Sequence, residues 1–259
     1  ETLVGDAGGN AGASIACYAG RAGLESTIYV PESAPDPKKA QIAIYGGELV
    51  DVPGPRSQCA IAAENATRGS REIAYASHAW HPAFILGMMT LAWEIWEQSD
   101  KSVPDWVLCP VGNGGLITGI WRGFQHLFNS GMIDRLPQLL AVQAEPFTPL
   151  VNAFDGRGSL DDAPLLLETI HADGIAISQP VRGASALEAL HQSNGLAVGV
   201  SEAEIARAHA ALARRGLFVE PTSATVAAAL AKAQDEIGAR GKSGETSIVA
   251  ILTGHGLKR

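Results

Sequence analysis

The residues whose types and spacing could bind a charged group form a glycine cluster, Pro110-Val-Gly-Asn-Gly-Gly-Leu116. The apolar run Trp106–Cys109 before it predicts a buried strand, and apolar residues recur at helical spacing after it, from Ile117 to Phe128. Glycines let the backbone approach a ligand closely, and the N–H groups at the start of a helix favour an anion. The cluster therefore predicts a phosphate-binding turn between a strand and a helix.

The cluster matches no common nucleotide motif. Its spacing is neither that of a P-loop nor that of the dinucleotide-binding fingerprint. A glycine-rich turn without a ligand is the default interpretation of such a cluster taken alone. Other residues must decide between the two interpretations.

Two further glycine loops also connect a strand to a helix or follow a strand. The loop Asp6–Ser14 carries Asn10, whose amide offers both a donor and an acceptor, although Asn10 could simply cap the helix. The loop Thr253-Gly-His-Gly256 follows the apolar run Ile248–Leu252. We interpret His255 there as a core or capping residue in preference to a catalytic one.

The elements that position these loops alternate regularly between strand and helix. This alternation predicts an α/β protein of two three-layer αβα domains with mainly parallel sheets. The polar connector Lys101–Asp105 suggests a smaller domain over residues 1–100 and a larger domain over 101–259. We expect irregular structure between Pro146 and Pro180. Because ligands of open α/β sheets bind at the carboxyl ends of the strands, the loops Gly112–Gly115 and Thr253–Gly256 should share a site.

Composition excludes several classes of partner. The chain has 259 residues and a formal net charge of −8, which argues against nucleic acid and anionic membranes as partners. No apolar run approaches the roughly 20 residues that cross a bilayer. The three cysteines lie far apart, without metal-ligand spacing, so we expect reduced core thiols, no metal and a cytoplasmic location.

Taken together, the loops give the chain a family resemblance. It resembles the pyridoxal-phosphate enzymes of fold type II, the tryptophan synthase β-subunit family, and most of all their threonine synthase branch. The resemblance spans essentially the whole chain and depends on ordered motifs. These motifs are Gly9-Asn10, His81-Pro82 with Gly87 and Thr90, Pro110–Gly115, Glu220-Pro-Thr-Ser-Ala224 and Leu252–Lys258.

The resemblance implies roles for matching positions. The backbone of Gly112, Asn113, Gly114, Gly115 and Leu116 would bind the phosphate of pyridoxal 5'-phosphate. Asn10 would contact the phenolic oxygen of the cofactor, and the Thr253 hydroxyl would face its pyridine nitrogen. A neutral partner such as Thr253 suits elimination or replacement at the β or γ carbon more than transamination. The substrate carboxylate would bind at Ala7, Gly8, Gly9 and Asn10.

The sequence departs from the family pattern in two respects. The Schiff-base lysine of the family precedes the Asn10 loop, and the nine residues before Asn10 contain no lysine. We therefore expect that lysine upstream of Glu1. In addition, the family usually has hydroxyl residues where this chain has Ala7 and Gly8.

The resemblance implies a lyase that acts on a small amino acid or its phosphate ester, in a homodimer. Two alternatives stay open. One is a non-catalytic or truncated relative that retains the phosphate-binding fold as a binding module. The other is a serine or threonine ammonia-lyase. The identity of the amino-acid substrate does not follow from the sequence.

Overall fold

The computed structural model describes residues 1–6, 9–54, 56–161, 170–240 and 245–258. The chain forms two units, one of Glu1–His81 with Lys258 and one of Pro82–Leu257. Each unit is built on its own four-stranded sheet. Within the described residues, no helix is both long and apolar enough to cross a bilayer.

The first unit repeats the strand–helix–strand pattern that the sequence predicts. Its sheet is parallel throughout, in the order β3-β2-β1-β4. Small and branched apolar residues of α1, β2 and α2 form its core, and Ala16, Ile28 and Ile42 are completely buried. The elements are β1 Thr2–Gly5, α1 Asn10–Ala22, β2 Glu25–Pro31, α2 Asp36–Ile44, β3 Glu48–Val52, α3 Arg56–Thr67 and β4 Ile73–Tyr75.

The second unit contains the glycine cluster. Its sheet is also parallel, in the order β7-β6-β5-β8. Short 3-10 helices cover Asp173–Ile175 and Gly256–Lys258. The other elements are α4 Pro82–Gln98, β5 Trp106–Pro110, α5 Gly115–Asn129, β6 Gln138–Ala144, α6 Pro149–Phe154, α7 Gly183–Gln192, β7 Leu196–Val200, α8 Glu202–Arg214, α9 Pro221–Arg240 and β8 Ile248–Ala250.

Alternating residues of β5 show that the second unit has three layers. Trp106 and Leu108 pack in a core cluster with apolar residues of α8 and α9. Val107 and Cys109 pack in a different cluster with residues of α5 and α7. Because successive side chains of a strand point to opposite faces, helices cover both faces of the sheet. This arrangement confirms the predicted α/β class with parallel sheets.

The boundary between the units differs from the expected one. It lies between His81 and Pro82, not after residue 100, because α4 packs along α5 within the second unit. The expected connector is also held inside that unit. Val103 is buried there, and Asp105 accepts a hydrogen bond from the Ser247 backbone N–H and pairs with Arg135.

The sequence patterns did not predict strand β7 or helix α6. Strand β7 lies at the edge of its sheet and is defined by its pairing with β6. Helix α6 lies inside the region expected to be irregular and is too short to show a helical period. Its first N–H groups, from Leu150 and Val151, donate to the Oε1 of the fully buried Gln143 at 2.8 and 3.2 Å.

Candidate functional site

The glycine cluster forms the predicted turn at the carboxyl end of β5. Gly114 is the N-cap of α5, with φ +86°, and the helix proper begins at Gly115. The N–H of Thr118 donates to the Gly114 carbonyl at 3.2 Å and closes the first turn. A left-handed residue at this position favours glycine, so the sequence selects this backbone locally.

Close contacts explain why the turn consists of small residues. A Cβ added to Gly114 would lie 2.8 Å from the Arg182 carbonyl oxygen, and one added to Gly112 would lie 3.2 Å from the Ile175 Cα. Both neighbours are backbone atoms, which cannot rotate away as the end of a side chain can. The turn is therefore packed tightly against the segment that precedes α7.

Asn113 fixes the turn to that same segment. Its carbonyl oxygen accepts from the Arg182 N–H at 2.9 Å, and its side-chain Oδ1 accepts from the Val181 N–H at 3.3 Å. The sequence assigned only the backbone of Asn113 to the ligand. The structure adds a second role for this residue, because its acceptors hold the turn in shape.

The turn presents a run of backbone donors. Across the described part of the chain, no protein acceptor takes a hydrogen bond from the backbone N–H groups of Gly112–Leu116. These groups lie at the positive end of the dipole of α5, a helix of 15 residues. The Thr118 hydroxyl, in the first turn of α5, is buried and also has no partner among the described residues. Such a cradle fits a phosphate.

Thr253 follows the neighbouring strand at the same edge of the sheet. Leu108 of β5 pairs with Ala250 of β8, and the Ile251 N–H donates to the Leu108 carbonyl at 3.0 Å. The chain then reaches Thr253, which is exposed, and the backbone of Gly254, which is buried. Since β5 and β8 are parallel, the glycine turn and Thr253 both follow the carboxyl ends of adjacent strands, as the sequence predicts.

Ser223 is a site residue that sequence reasoning missed. It lies in the first turn of α9 and is completely buried. Its Oγ lies 2.9 Å from the Thr253 Oγ1 and accepts from the Gly254 N–H at 2.7 Å. The motif Glu220–Ala224 was noted for its resemblance, but nothing in its spacing indicates a contact with residues 30 positions further on.

The two other notable residues near Thr253 have structural contacts. The Leu257 N–H donates to the His255 Nδ1 at 3.1 Å, which matches the interpretation of His255 as a capping residue. Glu220 immediately precedes α9, and its carbonyl oxygen accepts from the Ser223 and Ala224 N–H groups at 2.9 and 3.1 Å. Its own N–H donates to the Gly254 carbonyl at 2.9 Å, so Glu220 also joins α9 to the Thr253 loop.

In the first unit, Asn10 is the first residue of α1. Gly9 is the N-cap, and its carbonyl accepts from the Ala13 N–H at 3.2 Å. Asn10 is thus not the N-cap residue, so capping of α1 does not account for an asparagine at this position. The remaining predicted carboxylate-binding residues, Ala7 and Gly8, lie outside the described residues.

A tyrosine lies at the same strand edge of the first unit. Tyr75 ends β4, the neighbour of β1, and burial together with the charge of Asp6 raises the pKa of Tyr75 to about 12. Asp6 raises this pKa, and the Ser77 side chain lowers it. Tyr75 therefore stays neutral at physiological pH, and sequence patterns gave no indication of this cluster.

Comparison with known proteins places these features in a family context. The family model described as "Pyridoxal-phosphate dependent enzyme" matches residues 1–254. Threonine synthase of Methanocaldococcus jannaschii is 36% identical over 252 residues, which are 96% of this chain and 61% of that protein. Threonine synthase of Mycobacterium bovis is 36% identical over 253 residues, covering 96% of this chain and 66% of that protein. The chain thus spans about three fifths to two thirds of these curated relatives.

Solved structures share the fold. A fungal L-serine ammonia-lyase from Rhizomucor miehei superposes with a TM-score of 0.81 at 20% identity, over 98% of this chain and 77% of that chain. The processed form of threonine deaminase isoform 2 from Solanum lycopersicum superposes with a TM-score of 0.79 at 20% identity, over 98% of this chain and 65% of that chain. At these identities the likeness concerns the fold alone.

Proposed function

Because the chain belongs to the pyridoxal-phosphate-dependent enzyme family and has the fold type II architecture, we propose that its protein is a lyase of the threonine synthase type. The reaction is an elimination or replacement at the β or γ carbon of a small amino acid or its phosphate ester. The relatives named threonine synthase, at 36% identity over nearly the whole chain, support this branch.

The observation that carries the proposal is the run of backbone N–H groups from Gly112 to Leu116 at the start of α5. A dianionic phosphate matches a helix N-terminus whose donors have no protein acceptor among the described residues. Bound there, pyridoxal phosphate supplies an electron sink for the substrate's α carbon. By the family resemblance, the turn would hold the phosphate, the Thr253 hydroxyl would face the pyridine nitrogen, and Asn10 would contact the phenolic oxygen.

The proposal requires the Schiff-base lysine of the family, and no lysine occurs among the nine residues before Asn10. Three of the lysines within the described residues already have other partners. Lys39 pairs with Asp51 at 2.5 Å, Lys232 donates to the Gly199 carbonyl at 2.7 Å, and Lys101 lies over the Trp96 ring. In this proposal, the lysine takes the proton from the substrate's α carbon, while the residues of this chain bind and orient.

Ala7 and Gly8 affect the proposed choice of substrate, because they replace hydroxyl residues that would bind the substrate carboxylate. A lost hydrogen bond to a charged group costs about 1.5–3 kcal/mol. That amount changes substrate preference by roughly one to two orders of magnitude. A serine or threonine ammonia-lyase is the second candidate, because an L-serine ammonia-lyase and a threonine deaminase are among the solved structures that share the fold.

The test is to assay the complete protein, loaded with pyridoxal phosphate, against O-phosphohomoserine, threonine and serine. Release of phosphate from the first, with formation of threonine, supports the threonine synthase type. Ammonia and a 2-oxoacid from the other two indicate the ammonia-lyase. Bound cofactor without turnover of any of the three contradicts the proposal and favours a binding module.

A further inference from the structure

Ser223 and Thr253 form a hydroxyl pair in which one member is buried and the other is exposed. Ser223 is completely buried in the first turn of α9, whereas Thr253 is exposed at the strand edge. Their oxygens lie 2.9 Å apart, and either could be the donor. The direction of this hydrogen bond decides what Thr253 presents to a ligand.

The partners of Ser223 restrict its options. A serine hydroxyl has one hydrogen to donate and two lone pairs to accept with. The Gly254 N–H donates to the Ser223 Oγ at 2.7 Å, which uses one lone pair. The hydrogen of Ser223 then has two acceptors in reach, the Thr253 Oγ1 at 2.9 Å and the Gly254 carbonyl at 3.3 Å. The first distance is near the usual length of an O–H···O bond, and the second is outside its usual range.

The shorter bond therefore favours Ser223 as donor and Thr253 as acceptor. When the Ser223 hydroxyl donates to one lone pair of Thr253, the hydrogen of the Thr253 hydroxyl can point toward solvent. Thr253 then acts as a hydrogen-bond donor toward a ligand bound on its exposed side. In the reverse arrangement, the Thr253 hydroxyl would donate to Ser223 and would offer a ligand only its lone pairs.

We propose that Ser223 is a positioning residue that makes Thr253 a hydrogen-bond donor and thereby selects the unprotonated form of the cofactor's pyridine nitrogen. A donor complements an unprotonated nitrogen, whereas lone pairs would complement a protonated one. The inference rests on the proposed function, since it requires pyridoxal phosphate bound with its ring beside Thr253. It gives the buried Ser223 hydroxyl a role beyond that of acceptor for the Gly254 N–H.

The test loads the complete protein with pyridoxal phosphate labelled with ¹⁵N at the ring nitrogen and records the ¹⁵N chemical shift between pH 6 and 9. The unsubstituted protein should show an unprotonated, hydrogen-bonded nitrogen throughout this range. In Ser223→Ala, Thr253 can rotate and also accept, so the shift should move toward the protonated value, most strongly at the acidic end. Thr225→Val is the matched control, because it removes another buried hydroxyl of α9, one that donates to the Thr222 carbonyl and not to Thr253, and it should leave the signal as it is.

The outcomes separate the two hypotheses. If the unsubstituted protein binds no cofactor by equilibrium dialysis, the proposed function fails and the inference fails with it. If cofactor binds but Ser223→Ala gives the signal of the unsubstituted protein, the inference alone is overturned. A protonated nitrogen in the unsubstituted protein overturns it as well.

A second variant at position 223 tests the inference if Ser223→Ala does not fold. Ser223→Cys keeps the same unbranched side-chain geometry, with a somewhat larger terminal atom and a much weaker donor. Its ¹⁵N shift should lie between those of the unsubstituted protein and free cofactor at the same pH. An unchanged shift in Ser223→Cys would also refute the role assigned to Ser223.

Discussion

At the scale of single residues, position 114 imposes two constraints that only glycine satisfies without strain. Its φ of +86° lies in the left-handed region, and a Cβ would lie 2.8 Å from the Arg182 carbonyl oxygen. The first constraint concerns the backbone of the residue itself, and the second concerns the segment packed against the turn. Together they hold the N–H groups in the direction of the proposed phosphate.

Gly114→Ala should therefore lose both stability and cofactor. We expect the free energy of unfolding to fall by about 1–3 kcal/mol from backbone strain and overpacking. Affinity for pyridoxal phosphate should fall at least about tenfold, the equivalent of 1.4 kcal/mol. Urea unfolding and equilibrium dialysis measure the two effects.

Gly131→Ala is the matched control. Gly131 also has a positive φ, +70°, but an added Cβ meets nothing within 4 Å. This variant should lose about 1–2 kcal/mol of stability from its left-handed backbone and keep its cofactor affinity. Equal cofactor affinities in the two variants would show that the contact with Arg182 does not shape the site.

At the scale of elements, close helix packing in the second unit depends on a glycine of α5. A Cβ on Gly123 would lie 2.7 Å from the Ala92 Cβ of α4. Since α5 begins at the proposed phosphate turn, this packing also fixes the direction of the donors at its start. The same contact keeps α4 in the second unit.

Gly123→Ala should destabilise the protein although alanine is the better helix former. We expect a loss of about 1–3 kcal/mol from overpacking, measured by urea unfolding. Gly238→Ala in α9 is the control, because it is exposed and nothing lies within 4 Å of its added Cβ. That variant should instead gain about 0.5–1 kcal/mol. A gain in both variants would contradict the tight α4–α5 packing.

The start of α8 makes stability depend on pH. Ser201 and Glu204 form a capping box, and the backbone N–H of Ser201 donates to the Glu204 carboxylate at 2.7 Å. This bond is the largest cause that lowers the pKa of Glu204, followed by the Ser201 hydroxyl and Lys232. A carboxyl whose pKa is lower in the folded state stabilises the fold above its usual pKa, near 4.3. This stabilisation disappears as the pH falls through the folded-state value.

Glu204→Gln should accordingly lose less stability between pH 7 and pH 3 than the unsubstituted protein. Ser201→Ala should reduce this pH dependence only in part, because the backbone N–H remains. It should also cost about 1 kcal/mol at pH 7 through loss of the cap. Urea unfolding at both pH values provides the comparison. If the stability of Glu204→Gln changed with pH as much as that of the unsubstituted protein, the capping box would not be the source of this pH dependence.

At the scale of the whole molecule, the boundary at residues 81 and 82 determines which fragment can fold. The large core clusters of the second unit lie within residues 82–257, and one of them contains Ala92 of α4. A fragment of residues 82–257 should therefore unfold cooperatively in urea. A fragment of residues 101–257 lacks α4, exposes the face of α5 that packs on it, and should aggregate or unfold without cooperativity. Cooperative unfolding of the shorter fragment would restore the boundary after residue 100.

We also propose a homodimer. Large apolar side chains are more than half exposed in both units, among them Ile44 at 82% and Leu86 at 63%. Exposed apolar groups of this size favour association. Light scattering should give twice the chain mass, which is 26.9 kDa for the present sequence. A mass of one chain at micromolar concentration would refute the dimer.

The sequence by itself determined the features that depend on neighbouring residues. Strand and helix periods, the glycines of the turn at Gly112–Gly115 and the capping box at Ser201 are local patterns. Each follows from backbone preferences and side-chain spacing over a few residues. For this reason, the parallel α/β class and the position of the turn after β5 could be read before any tertiary contact was known.

Tertiary structure decided everything that joins distant residues. The pairing of Ser223 with Thr253, the hold of Asn113 on Val181 and Arg182, and the assignment of α4 to the second unit all depend on packing. Strand β7 likewise needs its partner β6. The physical reason is the same in each case. Hydrogen bonds and close contacts act over a few ångströms in space, and only the folded chain brings these residues within that range.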